Sequence, residues 1–163
     1  MSDDGGAEGL LARMRESSIV LDREGRFHHD GEPVTHPGVE RALHRWIGLH
    51  GNGRYVLQTG PVWCYFRVED VPFLVRSVRE EGDALVATLS DETEEDLDLG
   101  TLHLGVDGVL RCRVKGGRFP ARLDRHAHFA LAERLVEGEG DLWLAVGAKR
   151  WPVPRASSTL PPR

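Results

Sequence analysis

Basic side chains crowd one short stretch: Arg111, Arg113, Lys115, Arg118, Arg122 and Arg125, with only Asp124 against them from Arg111 onward. A guanidinium presents a planar fork that matches the oxygens of a carboxylate or phosphate two at a time. Spread over a strand, a loop and a second strand, these groups could hold an anionic group. They could equally answer the acidic run Ser90–Asp98 across a hairpin. A second constellation is Trp63, Tyr65 and Arg67, at alternate positions of an extended run. Strand side chains point to opposite faces with a period of two, so both rings and the guanidinium share one face. Val62, Cys64, Phe66 and Val68 then take the core face. The aromatic face could be a stacking platform with a cation beside it, or a sheet face half covered by a helix.

Other reactive residue types carry less. The eight histidines include the pairs His28–His29, His44 with His50, and His126 with His128. Adjacent positions on a strand face opposite ways, and helical positions two apart lie about 200° round the axis. No HExxH or other metal-ligand spacing occurs, so no metal is expected. There is no GxSxG, no P-loop and no GxGxxG after a strand. Glu69-Asp70 could be an acid/base pair, but adjacent carboxylates seldom converge on one substrate atom. A strand-breaking or capping pair is the plainer reading. The run SDETEEDLD lacks the sixth-position glycine and the ligand spacing of a calcium loop, which leaves a solvated loop. Cys64 and Cys112 lie on the apolar parity of strand-like runs and read as buried, reduced thiols.

The elements that must position these groups follow from periodicity and punctuation. Ile19–Leu21 and Arg26–His29 flank the turn residues Asp22-Arg-Glu-Gly25, and Asp30-Gly31 marks a second tight turn. Pro37 suits the first turn of a helix capped by Thr35 or His36. Val39, Ala42, Leu43, Trp46 and Ile47 make its apolar stripe, and Gly51 ends it. Strands follow at Tyr55–Thr59 and Val62–Val68. Pro72 starts or bulges a further run through Phe73, Val75 and Val78. Ala84–Leu89 is a strand, and Thr101–Val106 with Val109–Val114 flank the hairpin signal Asp107-Gly108. Asp124 caps a second helix whose stripe is Ala127 or His128, Leu131 and Leu135, widened by Phe129, Ala132 and Val136, and which closes at Glu137-Gly138. Leu142–Val146 and Arg150–Val153 form a last hairpin.

The chain has 163 residues and a net charge of −5, too mild for nucleic-acid coating or membrane attachment. At this length roughly two-thirds of the unfolded surface can be buried, so a core needs no staples. The N-terminus lacks a basic segment followed by an apolar one, and no apolar run nears the roughly 20 residues of a membrane span; a cytoplasmic location is expected. Residues 1–16 read as a lead-in, with a short helix through Leu10, Leu11 and Met14, and residues 154–163 as a disordered Pro/Ser-rich tail. Between them the element order nearly repeats. The expectation is an α+β protein of two similar half-domains, residues 17–90 and 91–153, each a curled antiparallel sheet packed on one helix.

Three stretches resemble the bacterial domain-of-unknown-function family 1285 (DUF1285): GRFHHDGEPV, GRYVLQTGPV running into FRVEDVPFLV, and RVKGGRFPARLDRHAHFALAERL. Together they span roughly residues 25–135. The resemblance implies a duplicated core of two α+β halves, the second superficially like a pleckstrin-homology domain. It also implies a groove between halves that holds a nucleotide-like ligand, with a role in signal transduction. By position, Thr59, Asp70, Pro72, Arg113, Arg122 and Arg125 match the family's motif positions. The chain departs from the pattern at Trp63-Cys64, where the family has a charged pair, and at Ser90-Asp91-Glu92, where it has a Thr-Asn turn.

The reading that follows is a non-catalytic, cofactor-free ligand-binding protein with a role in bacterial signal transduction. Trp63 and Tyr65 would stack on a nucleotide-like or other anionic small molecule. Arg67, Asp70, Arg113, Arg122 and Arg125 would line the same site. Neither membrane nor duplex nucleic acid is expected as a partner. The alternative is a protein–protein adaptor that docks a signalling partner through the aromatic face and the acidic loop, with no small-molecule ligand.

Overall fold

In the computed structural model, residues 15–156 are described; the lead-in helix expected at Leu10–Met14 and the end of the tail lie outside them. The chain divides into two compact units, residues 1–72 and 73–163. The architecture is α+β, mostly sheet with two helices.

The first unit opens on β1 (Ile19–Leu21) and β2 (Phe27–His29), an antiparallel pair, with β3 (Glu32–Pro33) beside β2. Helix α1 (Pro37–Trp46) follows, then the meander β4 (Ile47–Leu49), β5 (Tyr55–Thr59) and β6 (Val62–Tyr65). The unit closes with β7 (Arg67–Val68), which returns parallel to β1. Leu21, Phe27, Leu43, Leu57 and Phe66 form the buried core.

The second unit begins with a long hairpin, β8 (Phe73–Glu81) and β9 (Ala84–Leu89), and an edge strand β10 (Glu94–Asp96). Strands β11 (His103–Leu104), β12 (Leu110–Val114) and β13 (Phe119–Leu123) complete a six-stranded sheet in the order β10-β9-β8-β13-β12-β11. Helix α2 (Arg125–Ala132) leads into the meander β14 (Leu135–Gly138), β15 (Asp141–Val146) and β16 (Lys149–Pro152).

From β11 onward the second unit repeats the first. The turn after β1 is closed by Asp22 N–H to Arg26 O (2.9 Å) and Gly25 N–H to Asp22 O (3.1 Å). The turn after β11 is closed by Gly105 N–H to Val109 O (2.8 Å) and Gly108 N–H to Gly105 O (2.9 Å). Gly25 and Gly108 sit at the same place with φ of 81° and 79°, where a side chain would be strained. Phe66 N–H to Tyr55 O is matched by Val153 N–H to Leu142 O, and Glu69 N–H to Leu21 O by Ala156 N–H to Leu104 O. Arg155, expected in a disordered tail, instead pairs parallel with Leu104 as Val68 pairs with Leu21.

Other expectations need correction. The four-stranded sheet around β1 and the six-stranded sheet each carry one parallel pairing, β1 with β7 and β8 with β13, which a purely antiparallel reading misses. Strands β8 and β9 pair within the second unit's sheet, so the division falls after Pro72 where element order places it near residue 90. Helix α1 stops at Trp46, and Ile47 begins β4. On α1 the buried residues are Leu43 and His44, while Val39 and Trp46 are exposed. His44 packs edge-on to Phe27 at 4.8 Å, so an aromatic contact overrides its polarity. The acidic run Ser90–Asp98 is one-third strand, because Glu94–Asp96 pair with Val86–Thr88.

Candidate functional site

Trp63 and Tyr65 do share a face: their rings meet edge-on at 5.2 Å. That face is already filled by the chain itself. The Arg15 guanidinium lies 4.2 Å above the Trp63 ring, and Arg54 lies 3.7 Å from that of Tyr65. His50 packs against both rings. Arg15 also donates to Trp63 O at 2.8 Å, and Arg54 is held by a two-pronged bond to Glu16 at 2.7 and 3.0 Å. Cation–ring contact of this kind is worth about 0.5–1 kcal/mol at exposed sites. The stacking platform expected for a ligand is therefore an internal packing surface.

Arg67 does not extend that face. The run expected from Val62 to Val68 breaks at Phe66: β6 ends at Tyr65, and β7 joins the other sheet beside β1. Val62, expected in the core, is 65% exposed at the β5–β6 turn, opposite Thr59. Arg67 is solvent-facing and 3.8 Å from Glu69. Asp70 is half-buried in the bend before Pro72.

The later arginines lie in the second unit. Arg111 and Arg122 stand directly opposite one another on β12 and β13, and His103 opposes Arg111 from β11. Arg113 shares that face two positions along, but its guanidinium donates to Gly117 O at 2.8 Å and ties the β12–β13 turn. Arg111 is paired with Asp107 at 3.1 Å. Burial pushes the Asp107 carboxyl up, yet the Val109 N–H and Arg111 hold it below the usual carboxylate range. Arg125 opens α2, exposed, with its guanidinium 5.9 Å from the Phe129 ring. Asp124 caps that helix by accepting from Ala127 N–H at 3.0 Å, as its spacing predicts. The face therefore carries His103, Arg111, Arg113 and Arg122; His103 was not among the expected site residues, and only the β11–β12 register places it there.

Both cysteines are free. Cys112 is buried, and burial followed by the charges of Glu95 and Asp98 pushes its thiol up to about 12, far from the thiolate that reacts or binds metal. Among the described residues no group of three or more His, Cys, Asp or Glu side chains could hold a metal ion.

One concavity was not foreseen. It lies in the second unit, about 640 Å³ in volume, and its apolar lining includes Leu99, Leu142, Trp143, Trp151, Val153 and Pro154. A smaller one of about 430 Å³ occupies the equivalent place in the first unit, where Glu16, Arg54, Tyr55, Phe66 and Arg67 line it. Two tryptophans in the last hairpin, next to the acidic turn Glu137-Gly-Glu139-Gly-Asp141, were the available sequence signal.

Two solved structures share this architecture. A DUF1285 family protein from Silicibacter pomeroyi DSS-3 is 20% identical, with 85% of this chain and 80% of that one aligned at a TM-score of 0.68. The chain has the DUF1285 fold. A second DUF1285 family protein, from Shewanella baltica OS155, is 16% identical over 72% of this chain and 91% of that one, with a TM-score of 0.58. No family sequence model and no curated protein sequence matches the chain. The resemblance carried by the GRFHHDGEPV, FRVEDVPFLV and RVKGGRFPARLDR stretches thus agrees with the DUF1285 fold. No helix of the described residues is long and apolar enough to cross a membrane.

Proposed function

We propose that the protein is a non-catalytic binding protein that takes an anionic small molecule on the arginine face of its second unit. The observation that carries this is the direct opposition of Arg111 and Arg122 across β12 and β13, with His103 beside them. Like charges opposed in a sheet are unfavourable by about 0.2–1 kcal/mol, and an anion bridging two guanidinium forks reverses that sign. Arg111 also pairs with Asp107 at 3.1 Å. A nucleotide-like ligand would be held there by its phosphate rather than by stacking on Trp63 and Tyr65. A regulatory role in bacterial signalling, which the DUF1285 resemblance implies, is consistent with binding without chemistry.

The test is a thermal-shift and calorimetric panel of nucleotides, cyclic dinucleotides and inorganic phosphate. A ligand at about 100 times its Kd stabilises the fold by about 2.7 kcal/mol. The Arg111→Ala/Arg122→Ala double variant should lose that shift, while Arg67→Ala keeps it. Equal binding by the double variant, or no binding by the wild type, would end this reading.

A further inference from the structure

The two equivalent concavities differ in what fills them. In the first unit, the segment at Arg15–Ser17 lies along the free edge of β6. Arg15 donates to Trp63 O and Ser17 Oγ to Tyr65 O, at 2.8 and 2.5 Å. The Arg15 and Arg54 guanidiniums cover the two rings. Counted back from Leu104 as from Leu21, Asp98, Leu99 and Gly100 correspond in sequence to Arg15, Glu16 and Ser17, and Asp141, beside Leu142 as Arg54 is beside Tyr55, corresponds to Arg54. Neither an ionised aspartate nor a glycine side chain can donate a hydrogen bond.

The edge strand β16 is therefore left differently. It pairs on one side only, with β15. Trp151 and Val153 face β15 in the ladder, since Val153 N–H bonds Leu142 O. The carbonyls of Arg150 and Pro152 consequently point away from the sheet, as those of Trp63 and Tyr65 do in β6. Pro152, which has no N–H to offer, is tolerated at such an edge. Beside this edge lie the indoles of Trp143 and Trp151, and Trp151 Nε1 is buried without a hydrogen-bond partner among the described residues. Asp141 lines the opening, and Asp98 and Glu139 are the chain neighbours of the lining residues Leu99 and Gly140. The cation that lines it, Arg155, is paired with Glu137 at 3.2 Å.

We propose that this cavity receives an extended, arginine-bearing segment of a partner protein. The segment takes the place that Arg15–Ser17 and Arg54 supply internally in the first unit. Its guanidinium lies on an indole face and pairs with Asp141. Its donors meet the carbonyls of Arg150 and Pro152, and a backbone carbonyl accepts from Trp151 Nε1. This is strand addition at a sheet edge, with pockets for alternate side chains. It is independent of anion binding on the arginine face, which uses other residues and the opposite charge.

The test uses the full chain with nitrogen-15-labelled tryptophan side chains, assigned through Trp143→Phe and Trp151→Phe. The probe is the acetylated, amidated pentapeptide Arg-Ala-Ser-Ser-Ile, which copies the donor pattern of the first unit, against a twin with citrulline for arginine. The arginine peptide should move the Trp143 and Trp151 indole N–H signals and leave Trp46 and Trp63 in place. The twin should bind about ten-fold more weakly. Asp141→Asn should weaken the arginine peptide about five-fold with an unchanged melting temperature, and Asp141→Glu should restore it. Because Asp141 is exposed, folding is not at stake, and the peptide pair on wild-type protein decides the matter without any variant. Equal affinity for the twin, shifts confined to Trp63, or none at about 10 mM peptide would overturn the proposal. So would movement of the same indoles with protein concentration alone, which would assign the cavity to a second copy, or with a nucleotide or fatty acid in place of the peptide.

Discussion

Lys115 takes a left-handed backbone conformation, φ 57°, uncommon for a residue with a side chain. What holds it there is a buried carboxylate. Its Nζ donates to Asp91 Oδ2 and Thr93 Oγ1, each at 2.7 Å, and its N–H bonds the Glu95 carboxylate. Asp91 is only 6% exposed. Burial pushes its carboxyl up, but the Lys115 ammonium and the hydroxyl and N–H of Thr93 outweigh that and hold it below the usual carboxylate range. A carboxyl whose folded pKa is depressed contributes stability above its unfolded value, about 3.9. That contribution is lost as pH falls through the folded value. Urea midpoints should therefore drop on acidification below about pH 4, and Asp91→Asn should flatten that part of the profile. Lys115→Met at neutral pH leaves the carboxylate unpaired and should cost about 1–3 kcal/mol. Parallel acid profiles for wild type and Asp91→Asn would show that this pair is not the source of the slope.

At the scale of elements, legibility in the sequence followed how local the cause was. The turn at Asp107-Gly108 and the cap at Asp124 are short-range chemistry, and both formed where their residues stand. Asp124 also lies 3.8 Å from Arg76, farther than the 3.0 Å of its cap bond. Asp124→Ala should cost about 0.5–2 kcal/mol, read as a lower melting temperature with faster amide exchange at the start of α2. Asp124→Asn or Ser should recover most of it; if neither does, the ion pair and not the cap is what matters. What could not be read was long-range. The break at Phe66 follows from β7 returning to β1 across more than 40 positions of chain, and no period in the run signals it. The same return moved Arg67 away from the aromatic face. The self-covering of Trp63 by Arg15 joins residues 48 apart, so the rings looked available when they were not. The acidic run misled for a related reason: charges that read as solvated serve as an edge strand and as the partner of Lys115, since like-signed edges discourage further pairing.

For the molecule as a whole, the repeat lets one position be compared with its counterpart. Phe27 and Leu110 each follow the first hairpin turn of their copy, pair with Leu21 and Leu104 respectively, and are both 0% exposed. Truncation to alanine removes apolar contact and leaves a cavity, costing about 3–5 kcal/mol for phenylalanine and about 2–5 for leucine. Where that loss is felt depends on how the unit coheres. Phe27 packs in a cluster drawn wholly from its own unit, with Leu21, Leu43, Leu57 and Phe66. Opening of that cluster should expose β1, β2 and β5 while β12 and β13 keep their protection, because amide exchange reports cooperative units rather than the chain average. Native-state hydrogen exchange on Phe27→Ala should thus accelerate in the first unit, and on Leu110→Ala in the second. If each substitution instead accelerated every strand by the same factor, the two copies would open as a single cooperative body, and the division after Pro72 would describe contacts without describing stability.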